Sequence, residues 1–163
     1  MTNDTFAPLD IGAQWGRLNE TIIALVDCIP EEKLDWSPRE ELWNFQGILT
    51  HTVMTRDGWL GSFVGDGGPT FDDADAFRAF VAGMQTKAEI QNELRRSWER
   101  VQRFLADPAK LDAVYEGSRG GQERRANGHW VAFHLLEHDI HHRADVFHYL
   151  ALLGIEHPAV DTP

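Results

Sequence analysis

Apolar positions recur at spacings of three and four along most of the chain, the period of a helix with one buried face. The first such run, Asp10 to Ile29, carries Ile11, Trp15, Leu18, Ile22, Leu25, Val26 and Ile29 on one stripe and stops at Pro30. A polar, proline-bounded connection follows and ends in Trp36-Ser37-Pro38. Asn44 then predicts the N-cap of a second helix reaching to about Val64, with Trp43 placed to pack back on Ile48, before Gly65-Asp66-Gly67-Gly68-Pro69 ends it. Asp72 to Gly83 is a mixed segment compatible with a short helix. A third long helix is predicted from about Gln85 to Ala106, with Ile90, Leu94, Trp98, Val101 and Leu105 on one side and Asp107-Pro108 at its end. Ala113 to Arg125, with Gly117, Gly120 and Gly121 at its centre, reads as a loop or small hairpin. A fourth helix runs from about Asn127 to Leu153, with Gly154 as its C-cap.

Four long amphipathic helices with little strand signal predict an all-α fold, a four-helix bundle with a small loop or β-hairpin before the last helix. The 163 residues suffice for one domain with a real core, so residues 1–163 are expected to form a single domain. The order of the helices stays open, because the connection between the second and third is long enough to cross the bundle. Apolar residues on two sides of the second helix predict neighbours on both, and a homodimer is a reasonable expectation.

Charge narrows the list of partners. With 15 Lys plus Arg against 26 Asp plus Glu the net charge is −11, a field that repels phosphate backbones, so no nucleic-acid partner is expected. No stretch approaches the roughly 18 apolar residues that span a bilayer, and Met1 to Pro8 lack a basic patch leading into an apolar run. A soluble, cytoplasmic protein with no membrane partner is expected. The single cysteine, Cys28, excludes an internal disulfide and reads as a small hydrophobe at the end of the first helix.

The chemistry concentrates in histidine. Five of the eight histidines lie in HLLEHDIHHRADVFH, between His134 and His148. At about 100° per residue, His138 and His142 share a face with Val131, Leu135, Asp145, Val146, Tyr149 and Leu153, which turns that face inward. His141 and His148 fall toward its edge. Two imidazoles one turn apart can both reach a single ion, although a bare pair of this kind is also met as two hydrogen-bonded core histidines. A third ligand must come from another helix, and His51 is the best candidate. Its face, with Asn44, Gly47, Ile48, Thr55, Gly58, Trp59 and Ser62, mixes small and polar residues with two large apolar ones and leaves room for a ligand.

Three segments together, LDWSP ahead of the second helix, ILTH containing His51, and HLLEHDIHHRADVFHYLALLG, resemble the DinB/YfiT-like family of metal-dependent enzymes. Members typically end in a helix of the form HxxxHRGQ followed by an apolar run and Gly, matched here from His138 to Arg143. The resemblance implies a metal held by His51, His138 and His142. One departure is clear: Ala144-Asp145 replaces the usual Gly-Gln, so a carboxylate stands where the family carries an amide.

Three neutral nitrogens leave coordination positions open, the arrangement of a catalytic site, and such an ion activates a bound water or thiol. The resemblance implies a low-molecular-weight thiol as co-substrate. The expected function is that of a thiol-dependent transferase or a hydrolase acting on a small-molecule electrophile, with zinc, nickel or iron as the divalent metal. A non-catalytic, metal-containing binding or stress-response protein is the alternative. Asp145, on the histidine face, is a candidate for a supporting hydrogen bond to a ligand or for general-base catalysis.

Overall fold

The structure is a computed structural model that describes residues 10–71, 73–119 and 122–158. Residues 1–9, Asp72 at the expected start of the short helix, and Gly120 and Gly121 in the expected loop lie outside the described residues. Four long helices build the core. They are α1 (Ile11–Cys28), α2 (Phe45–Gly58), α4 (Lys87–Leu105) and α6 (Gly128–Leu152). Two short helices, α3 (Ala74–Ala82) and α5 (Pro108–Asp112), and an antiparallel hairpin of β1 (Val114–Arg119) and β2 (Gln122–Asn127) complete the fold.

Each helix begins where a side chain satisfies its first amides. Asp10, Asn44 and Asn127 accept from the backbone N–H three residues on, and Thr86 with Glu89 forms a full capping box. At the other ends, Gly65 (φ 75°) and Gly154 (φ 67°) take the left-handed conformation that β-carbons disfavour. The second helix does reach Val64, but its last stretch, Trp59–Val64, winds as a π-helix. Helix α5 begins at Asp107-Pro108, the dipeptide that reads as a stop: Asp107 accepts from Ala109 N and Lys110 N, and Pro108 occupies the first turn, where its missing N–H costs nothing.

Both α1 and α2 pack against α4 and α6, so α1 and α2 stand on one diagonal of the bundle. Side-chain pairs fix the directions. Lys87 reaches the Asp27 and Ile29 carbonyls while Trp98 meets Trp15, so α4 runs antiparallel to α1. Gln46 donates to the Met84 carbonyl while Asp57 pairs with Arg96 and Arg100, so α2 and α4 run parallel. Phe45 packs on Tyr149 and Trp59 on Trp130, so α6 runs antiparallel to α2. The bundle is therefore up-down-down-up. Helices α2 and α4 are neighbours, and the diagonal is crossed between α1 and α2 and again between α4 and α6. Along the axis, Ile22, Leu25, Val53, Leu60, Ile90, Leu94, Val131, Leu135 and Val146 are buried in one apolar core.

Candidate metal centre

The site grows from the middles of two antiparallel helices. On α2, His51 lies two turns past the Asn44 cap, and on α6 His138 and His142 follow each other by one turn. The three rings form a near-equilateral triangle, with centroids 5.4 Å apart for His51 and His138, 5.0 Å for His51 and His142, and 5.3 Å for His138 and His142. One ring nitrogen from each lies within 4.8 Å of those of the other two, so this histidine group has the spacing to hold a metal ion.

The surroundings of the nitrogens differ. His142 is buried; its Nδ1 donates to Asp145 Oδ2 at 3.1 Å, while its Nε2 is buried without a hydrogen-bond partner among the described residues. His138 Nδ1 is likewise buried and unpartnered. His51 Nε2 is 3.3 Å from the Thr55 hydroxyl. Burial first, then the neighbouring His134 and His142, pushes the His138 imidazole down to about 4. Burial also lowers His142, partly offset by the hydrogen bond to Asp145. Both rings are thereby neutral near pH 7, the form in which a histidine nitrogen offers a lone pair.

The triangle forms the floor of an open cleft of about 590 Å³. Trp43 and Leu42 supply an apolar wall, His134, Tyr149 and Ile48 add to the lining, and Glu41, Glu137 and Asp145 bring carboxylates. Trp43 is more than half exposed, with its ring 4.5 Å from His51 and 6.0 Å from His142. Its ring thus covers the histidines. His134 stacks on Trp130 and meets His138 edge-on. His141 and His148 are exposed. A second group, His141, His142 and Asp145, also brings ligand atoms within reach of one another, but in it His142 Nδ1 and Asp145 already satisfy each other.

Asp145 is less enclosed than its place on the helical face suggests. Its side chain is 35% exposed, because at three residues past His142 it projects toward the cleft and not into the core.

The core position next to the site is held by Asp139. It is 1% exposed, accepts from Trp15 Nε1 at 2.6 Å, and takes bonds from Arg56 Nε at 3.1 Å and Nη2 at 2.7 Å. Arg56 is fully buried and donates also to Asn19, Ser97 and the Leu94 carbonyl. One ionic cluster thus ties α1, α2, α4 and α6 together directly beside His138. The spacing Val131, Leu135, Asp139, His142, Val146 places Asp139 in the buried stripe, and Leu49, Val53, Arg56, Leu60 does the same for Arg56, although neither stands out as a site residue from its type alone. A charge at a core position of an apolar stripe was the available signal.

Comparison with known proteins agrees with the fold. A DinB-like protein from Bacillus cereus ATCC 10987 superposes with a TM-score of 0.66 at 16% identity, over 91% of this chain and 94% of that one. A DinB-family candidate from Exiguobacterium sibiricum 255-15 gives 0.66 at 21% identity, over 94% and 97%. A DinB-like protein from Bacillus subtilis gives 0.65 at 18%, over 93% and 96%. No curated protein matches the sequence. The family model of the DinB superfamily matches residues 14–146, a span that includes all three histidines of the triangle, and the chain belongs to that superfamily.

Proposed function

We propose that the chain is a metal-dependent enzyme that holds one divalent ion, zinc, nickel or iron, through His51, His138 and His142, and acts on a small electrophile as a thiol-dependent transferase or a hydrolase. The observation that carries this reading is the pair of buried, unpartnered nitrogens, His138 Nδ1 and His142 Nε2, within a triangle of imidazoles at the floor of an open cleft. A buried polar atom without a partner costs about 1–3 kcal/mol, and a ligated ion removes that cost at both atoms together. Held by three neutral nitrogens, a divalent ion keeps positions open and supplies Lewis acidity toward a bound water, thiol or carbonyl.

The chain's own groups divide the remaining work. Asp145 accepts the Nδ1 proton of His142 and so selects the tautomer whose Nε2 lone pair faces away from that bond. Because the carboxylate also lines the cleft, it is placed to take a proton from a thiol or water that enters. Trp43 and Leu42 shield one side of the histidines and limit competing water. The lone, unpaired Cys28 fits a reducing compartment such as the cytoplasm.

The test is a turnover screen of the metal-loaded protein with bacillithiol, mycothiol, glutathione or water alone against a panel of alkyl and acyl electrophiles. Metal-dependent consumption of an electrophile is expected. A protein that binds metal tightly and consumes none with any thiol or water contradicts the enzymatic reading and favours a binding role.

A further inference from the structure

A second cavity, of about 270 Å³, lies against the histidine cleft on the far side of Trp43. It opens between α2 and α3 and is lined chiefly by Trp43, Gly47, Thr50, Met54, Phe77 and Val81. Trp43 and His51 line both cavities, so the two spaces meet at one edge of the triangle. At about 30 Å³ of liquid volume per water, the second space has room for roughly nine waters, or for a short chain of carbons.

Two features show that its walls are incompletely covered. Trp43 is 52% exposed and Phe77 is 40% exposed, and both line this concavity. Helix α3 carries apolar side chains at Phe77, Phe80 and Val81, yet none of its residues is buried. A small apolar group placed between α2 and α3 would complete that face. Charge points the same way. Glu41, Glu137 and Asp145 line the first cavity; among the described residues the second has no charged lining residue, and neither is lined by a lysine or arginine. An anionic arm would find no counterion in either space.

We propose that the ligand bound at the histidine triangle carries an uncharged, apolar arm, and that this arm lies between α2 and α3 behind Trp43. The assignment rests on the three-histidine metal reading above and adds to it the class of molecule bound: a metal-binding head on an apolar, non-anionic body. Trp43 then serves as the partition that the ligand bends around.

The experiment uses the cobalt-loaded full chain and a series of linear thiols from ethanethiol to hexanethiol, with 6-mercaptohexanoate as the anionic counterpart, followed through the sulfur-to-cobalt absorption band. Dissociation constants are expected to tighten with length, up to about fourfold per methylene for full burial. The mercaptohexanoate is expected to bind at least tenfold more weakly than hexanethiol. Val81→Asp and Phe77→Asp, on a helix with no buried residue, should keep the cobalt spectrum and lose the gain with length. A length-independent constant, equal binding of the carboxylated thiol, or an unchanged length dependence in both variants overturns the proposal.

Failure of the metal reading shows separately, as absence of any cobalt spectrum before thiol is added. In that event the compartment is read without metal, by titrating n-hexanol against the methionine methyl NMR signals: Met54 should shift while Met84, fully buried in the core, stays. A Met54 signal that does not respond overturns the compartment as well.

Discussion

His142 keeps different company at its two ring nitrogens, and that asymmetry is the most informative feature at the scale of single residues. Nδ1 is spent on Asp145 at 3.1 Å, while Nε2 is buried with no partner among the described residues. Loss of such an outer hydrogen bond typically lowers metal affinity about 10–100-fold. Asp145→Ala is therefore expected to weaken binding within that range, and Asp145→Asn by less, because the amide oxygen still accepts from Nδ1. Competition against a chromophoric chelator measures both; an alanine variant as tight as wild type removes the supporting role. His138 makes a prediction for the metal-free protein. Its imidazole is held down at about 4 by burial, against about 6.5 in an unfolded chain. Because the folded value is the lower one, the unfolded chain takes up the proton first as pH falls. The stability linked to His138 is fully present above about pH 6.5 and is lost progressively toward pH 4. Urea midpoints of the metal-free protein should fall between pH 7.5 and pH 5, and fall less in His138→Gln; a midpoint that rises on acidification has the wrong sign for this account.

At the scale of elements, the site is a matter of registering α6 against α2, and the Arg56–Asp139 cluster does so beside His138. Removing one member of a buried pair leaves an uncompensated charge, so Asp139→Ala should cost on the order of 3–5 kcal/mol in chemical denaturation. The double change Arg56→Met with Asp139→Leu removes both charges and should cost less than the single one; a double variant as damaged as Asp139→Ala would argue that shape and not charge sets the loss. The helices themselves were legible, because their apolar stripes repeat at 3.6 and their caps are side chains that the sequence spells out at Asp10, Asn44, Thr86 and Asn127. The hairpin was legible from its glycines, with its second strand running two residues beyond the expected segment, to Asn127. Less accessible were α5, whose Asp-Pro start looks like a stop, and the π-helical stretch at Trp59–Val64, where one changed hydrogen-bond register leaves no mark in composition. Helix order was not legible at all. It depends on side-chain pairs such as Lys87 with the end of α1, which join residues about 60 positions apart.

For the whole molecule, the fold is that of the DinB superfamily, and among the described residues no helix is long and apolar enough to cross a membrane. Its apolar core is supplied chiefly by the four long helices. The far-UV helical signal should thus survive chelation, in contrast to a small zinc domain that unfolds without metal, and collapse of that signal would show that the core had been overestimated. Metal should raise the melting temperature by linkage, by an amount that grows with the logarithm of its concentration over the dissociation constant. The candidate ligands were legible because one helical turn separates His138 from His142, and because His51 sits on a face too small and polar to fill a core. What the sequence could not show was the near-equal spacing of the three rings, a property of the assembled bundle. The most direct measurement is elemental analysis of purified wild type beside His51→Ala, His138→Ala, His142→Ala and the control His141→Ala, each first checked for its helical signal. The three-histidine account predicts about one divalent ion per chain in wild type and in His141→Ala, and strongly depleted metal in the other three; a full site in His51→Ala, or an empty one in His141→Ala, would contradict it.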